Sequence, residues 1–123
     1  MLRITAYIFG VFFLLLGIWG LIPIIAPNDM VMVYFRVNAI HNLYHLAIGI
    51  IALTVGSIGI YASLLFFRIF CIVNFLNVIV GYYAGNHVIL GIIENNTADI
   101  VLHLVAGIIS LYFGFFFTQS EVD

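Results

Sequence analysis

Four long apolar runs alternate along this chain with short stretches that carry most of its charges, prolines and asparagines. A hydrocarbon core of about 30 Å is crossed by about 20 helical residues. The runs at residues 4–22, 39–56, 63–83 and 98–117 meet that length. Pro23 closes the first. The segment that follows it, residues 23–37, holds Pro27, Asn28 and Asp29, which is turn chemistry. The segment 57–62 is short enough to make its two flanking spans antiparallel neighbours. The segment 84–96 carries Gly85, Asn86, His87, Glu94 and Asn95. The pattern predicts an all-α, integral membrane four-helix bundle forming one transmembrane domain over residues 1–123.

Composition strengthens this reading. Of 123 residues, 66% are hydrophobic and 7% charged, and mean hydropathy is +1.31. Soluble domains carry about 25% charged residues, so too few polar groups exist here to coat a water-facing globule. Arg3 ahead of an apolar run resembles the start of a signal peptide. The run continues to about Ile25 without a small-x-small cleavage site before Pro27, so the expectation is a retained first span. The only basic residues are Arg3, Arg36 and Arg68, and net charge is −2. Nucleic acid is therefore excluded as a partner. With four spans both termini share one side. Arg3 and Arg68 lie on that side and Arg36 on the other, which places the termini in the cytoplasm.

The chain also repeats itself. Shifting residues 38–56 onto 96–114 aligns Asn38/Asn96, His45/His103, Leu46/Leu104, Gly49/Gly107, Ile50/Ile108, Ile51/Ile109, Leu53/Leu111 and Gly56/Gly114. The first and third spans match only at Arg3-Ile4 and Arg68-Ile69. The expectation is two tandem transmembrane hairpins related by a pseudo-twofold axis along the membrane normal.

On a helix of 3.6 residues per turn, His41, His45, Gly49, Ala52 and Gly56 form one stripe. Asp99, His103, Gly107, Ser110 and Gly114 form its counterpart. Small residues at this spacing let membrane helices approach closely, so Gly49, Gly56, Gly107 and Gly114 are expected to pack against helices, each other or Gly10, Gly17 and Gly20. Cys71, Asn74 and Asn77 of the third span are expected to face inward, since amides in lipid need partners.

The polar heads of the two stripes admit three readings. In the first they are architecture: Asn38 and Asn96 cap their helices, Asp99 completes a capping box, and the histidines hydrogen-bond across the bundle. In the second, His41, His45, Asp99 and His103 hold a divalent transition metal, since two pairs spaced by one turn offer three imidazoles and a carboxylate. In the third, His45 and His103 are axial ligands of a haem-like tetrapyrrole, with room for the ring beside Gly49 and Gly107. His87 reads as a solvated loop residue. Trp19 and Tyr34, Tyr44, Tyr61, Tyr82 and Tyr83 read as interfacial anchors or packing. The sequon Asn95-Asn96-Thr97 runs into a helix cap.

These segments resemble a known family of bacterial four-helix membrane proteins, the domain of unknown function family 4383. The resemblance rests on residues 38–46 (Asn-Ala-Ile-His-Asn-Leu-Tyr-His-Leu) with Gly49, on Asn96-Thr97-Ala98-Asp99, on Leu102-His103-Leu104 with Gly107, and on residues 17–23 (Gly-Ile-Trp-Gly-Leu-Ile-Pro). Ile100 departs from it, standing where the family commonly has a polar residue. The resemblance implies a fold and a topology and brings no activity.

No nucleophile–base pair, phosphate loop or paired acid is legible, which argues against an enzyme. The strong ionisable groups cluster at one end of the spans, which argues against transport. Two function classes remain. One is a structural or accessory membrane subunit, in contact with the bilayer and with a second copy or the subunits of a larger complex. The other is a metal- or cofactor-binding protein.

Overall fold

The computed structural model describes residues 1–24, 28, 30–32, 34–85 and 87–117. Pro27, Asp29 and Asn86, read above as turn residues, lie outside the described residues. Helix α1 spans Leu2–Gly20; two short strands follow, β1 (Met30–Val31) and β2 (Phe35–Arg36). Then come α2 (Ala39–Ile58), α3 (Ile60–Ala84) and α4 (Thr97–Leu111), which continues into a π-helical turn, Tyr112–Phe116. All four helices, with the π turn counted into the last, are long and apolar enough to cross a membrane.

The boundaries differ from the expected ones for local reasons. α1 stops at Gly20 rather than Ile22. The N–H groups of Leu21 and Ile22 bond back to Ile18 and Trp19, three residues away, which tightens the last turn before Pro23. The expected loop 57–62 shrinks to one residue, Gly59. Its φ of +148° is open only to glycine, so the chain reverses there without a longer linker. The Ser63 hydroxyl donates to the Gly59 carbonyl at 2.9 Å and secures the start of α3. The segment after α1, read as plain loop, contains an antiparallel ladder pairing Met30 with Arg36 and Val31 with Phe35.

α1 packs chiefly on α2, and α3 on α4. In both pairs an arginine ties the ends together. Arg3 Nε donates to the Gly56 carbonyl and Arg68 Nε to the Gly114 carbonyl, each at 2.8 Å. Each pair is therefore antiparallel, and each arginine satisfies a carbonyl near a helix C-terminus. At the opposite end the segments before α2 and α4 exchange bonds. Asn38 Nδ2 donates to the Ile92 carbonyl at 2.6 Å, and Asn96 Nδ2 to the Tyr34 carbonyl at 2.7 Å. The N-termini of α2 and α4 thus meet at one membrane face, and these two helices run parallel.

The middle of the bundle is aromatic. Phe9 meets Phe67 edge-on at 5.5 Å between ring centroids, Phe13 meets Phe70 edge-on at 5.5 Å, and Phe66 stacks on Phe70 at 5.0 Å. On α1 the residues Ala6, Phe9, Phe13 and Leu16 are buried, while Ile4, Ile8, Val11, Leu15 and Ile18 are exposed. An exposed apolar stripe is what a helix offers to lipid.

Candidate metal centre

The site is assembled where α2 and α4 begin. Asn38 is extended, and its Oδ1 accepts the His41 N–H at 2.8 Å. Asn96 is likewise extended, and its Oδ1 accepts the Asp99 N–H at 3.0 Å. Both caps expected from sequence are therefore in place, and they fix the rotation of each helix about its axis. That rotation turns His41 and His45 inward from α2 and His103 inward from α4. All three are buried.

The three histidines converge. One ring nitrogen from each lies within 4.8 Å of those of the other two. The His41 and His45 ring centroids are 4.5 Å apart, and those of His45 and His103 are 6.4 Å apart. A tetrahedral zinc with Zn–N bonds of about 2.1 Å holds its ligand nitrogens about 3.4 Å apart. A modest inward adjustment of the side chains brings the trio to that spacing.

Asp99, the fourth expected ligand, stands outside this trio. Its Oδ2 accepts the Asn96 N–H at 2.9 Å, which completes a capping box. His41 occupies the same position in α2, three residues after the cap, and its imidazole is directed to the histidine trio instead.

The trio is short of hydrogen bonds. Nδ1 of His41 and both ring nitrogens of His45 are buried without a partner among the described residues, as are Oδ1 of Asn42, Oδ1 of Asp99 and Oγ of Ser110. An unpartnered buried polar atom costs about 1–3 kcal/mol, and the three imidazole nitrogens among these belong to the converging trio, where a ligand would satisfy them.

His103 is the exception. Its Nδ1 lies 2.9 Å from Asn74 Oδ1. Asn74 donates its own Nδ2 to the Phe70 carbonyl at 2.7 Å, which fixes Oδ1 as the end facing the ring. His103 therefore carries its proton on Nδ1 and keeps the lone pair on Nε2. Metal-binding histidines are commonly held this way by an outer acceptor.

Beneath the trio lies the aromatic layer, with the Phe13 ring 5.5 Å from that of His45. Beside it opens a cleft of about 40 Å³, lined by His41, Tyr44, Asn77, Glu94, Asn95 and His103 with Ile89 and Ile93. That volume holds an ion with a few waters. It does not hold a tetrapyrrole.

The room expected beside the glycines is taken by neighbouring helices. A Cβ on Gly49 would come within 2.7 Å of Leu14 and 2.9 Å of the Gly10 carbonyl. One on Gly107 would meet Asn74 and Phe75 of α3, from 3.3 Å. Gly56 faces Tyr7 and the Arg3 carbonyl, and Gly114 faces the α3 backbone at Phe67 and Arg68. His45 and His103 are thus neighbours without a slot for a ring between them.

Cys71 and Asn74 are buried in α3, and Asn77 is half-buried with its Nδ2 donating to the Tyr44 hydroxyl at 3.0 Å. His87 is exposed. Asn95, the sequon residue, is buried, and its Nδ2 donates to the carbonyls of Gly81 and Gly85 at 3.2 and 2.7 Å. It closes the C-terminus of α3 rather than presenting an acceptor for glycan.

A model of a domain of unknown function (DUF4383) matches residues 3–116. The chain belongs to this family. The matched DUF4383 region takes in all four helices and every residue of the histidine trio. No curated protein and no solved structure matches the chain.

Proposed function

We propose that this membrane protein binds a divalent transition metal, zinc in the first instance, through His41, His45 and His103. The observation that carries the reading is His45. It is 1% exposed, with both ring nitrogens unpartnered among the described residues, and it sits between two other histidines. A coordinate bond at one nitrogen repays the burial of that ring, which a bilayer interior otherwise leaves unsatisfied. Three neutral imidazoles suit zinc and its divalent neighbours. Asn74 supplies the outer hydrogen bond that sets the tautomer of His103. Asp99 serves the helix cap.

The same reading includes a duplicated hairpin. Its support reaches beyond the helices into the loops. Val31–Phe35 pairing has its counterpart in the Ile89–Ile93 bridge, 58 residues on. Met32 and Leu90, at the same offset, are both left-handed with φ of 52°. Asn38 bonds to Ile92 while Asn96 bonds to Tyr34, again the same pair of positions exchanged. In this account the two copies diverged at one functional position. His41 and Asp99 are equivalent, and one became a ligand while the other stayed a cap. The arginines near the other ends of the hairpins support a cytoplasmic location for that face and both termini, with the metal centre then near the outer face.

The test is metal analysis of purified protein after chelation and reloading with zinc. One zinc per chain is expected, lost in His45→Ala and kept in Asn38→Ala. Absence of stoichiometric zinc in the intact, folded protein would overturn the assignment.

A further inference from the structure

The histidine trio is not enclosed on all sides. His41 and His103 form part of the wall of the cleft, whereas His45 lies behind them against Phe13. Three other residues of the wall, Tyr44, Asn77 and Glu94, carry a hydroxyl, an amide and a carboxylate, and Ile89 and Ile93 add apolar surface. Tyr44 is anchored twice. Its ring centroid is 5.9 Å from that of His45 and 6.3 Å from that of His103, and its oxygen accepts the Asn77 amide N–H. Because the oxygen is already the acceptor in that bond, the phenolic proton is left to be donated elsewhere. Glu94 stands at the rim with its charge offset by Arg36, 3.9 Å away.

Resting on the metal reading above, we propose that the fourth coordination position opens into this cleft. It takes an exchangeable small ligand of the water, hydroxide or small-anion class, and Tyr44 donates a hydrogen bond to that ligand. Three protein ligands and one open position distinguish reactive or ligand-sensing zinc sites from closed structural ones. The competing fourth ligand is Asp99, whose free oxygen is buried nearby in α4. Its carboxylate is already held by the Asn96 N–H on the cap side, and it is not among the atoms that converge with the trio. A cleft of about 40 Å³ limits the exogenous ligand to a few atoms.

The experiment loads the full-length protein with Co(II), which reports its coordination through visible absorption bands, and titrates azide. Saturable displacement of those bands is expected in the wild type. Tyr44→Phe should bind Co(II) equally well and azide about five-fold more weakly, the effect of one lost neutral hydrogen bond. Bands that ignore azide in the wild type and change in Asp99→Asn would show the carboxylate filling the fourth position, and would overturn the proposal while leaving the metal site standing. Bands that ignore azide and are unchanged in Asp99→Asn would overturn it too. Equal azide affinity in wild type and Tyr44→Phe would remove Tyr44 from the site. If no histidine-dependent Co(II) spectrum forms at all, the metal reading itself fails and takes this one with it.

Discussion

Asn74 of α3 holds the imidazole of His103 of α4 by a buried 2.9 Å bond at Nδ1. The bond does two things. It satisfies an amide that lipid would leave unpaired, and it leaves the other ring nitrogen, as a lone-pair donor, available to a metal shared with His41 and His45. Asn74→Leu should therefore weaken zinc binding about 10–100-fold. Asn74→Asp, which keeps the acceptor, should retain most of the affinity. Competition titration of both variants against a zinc chelator checks this. A purely structural Asn74 would lower thermal stability in the Leu variant and leave zinc affinity unchanged.

The equivalence of His41 and Asp99 gives a variant that separates fold from site. His41→Asp places at the head of α2 the residue that completes the capping box of α4. The helix start should be kept or strengthened, with stability changed by about 1 kcal/mol or less. Zinc binding should be weakened, because only two imidazoles remain and the new carboxylate is drawn into the cap as Asp99 is. Thermal unfolding in detergent and zinc titration of the same sample measure both effects.

How much of this was legible in the sequence depends on the physical scale of each feature. The four spans follow from run length and charge depletion alone. The caps follow from Asn at the edge of an apolar run, and the inward face of α2 from the spacing of His41, His45 and Gly49. The one-residue reversal at Gly59 is not legible in the sequence because it depends on a backbone angle, whereas composition suggests a longer loop. The Asn74–His103 bond was out of reach because it joins residues on different helices, and nothing in either helix alone fixes their relative rotation. Asp99 read as a ligand because type and spacing matched His41. Only the capping geometry reveals that one of its oxygens is committed to the Asn96 N–H. The room for a tetrapyrrole beside Gly49 disappears once Leu14 of α1 is seen to occupy it.

Glycine positions differ in what they tolerate. At Gly49 a methyl group would run into the backbone nitrogen of Leu14, which cannot move without shifting α1. Gly49→Ala should destabilise the bundle by about 1–3 kcal/mol. At Gly107 the neighbours stand farther off and are side-chain atoms, so Gly107→Ala should cost clearly less, while Gly107→Leu overpacks the α3–α4 contact. Chemical unfolding in mixed micelles ranks the three variants. Equal tolerance of Ala at both sites would contradict the packing described.

Arg3 and Arg68 each tie one helix pair together at one end. Each donates to a carbonyl near a helix end, so replacement by Leu should cost about 1 kcal/mol apiece. The effects should be nearly additive, since the bonds belong to different helix pairs. Lys restores the charge but not the same donor geometry, and should recover the stability only in part. Thermal unfolding of the single and double variants tests this.

In the proposed site three imidazoles from two parallel helices hold one metal ion. X-ray absorption at the zinc edge of the loaded protein tests it most directly, because imidazole rings leave a countable outer-shell signature. Three histidines at about 2.0–2.1 Å are expected, with one further light atom completing a four-coordinate site. In His103→Ala that histidine count should fall. A site with one imidazole or none, or a folded protein that retains no zinc, would contradict it.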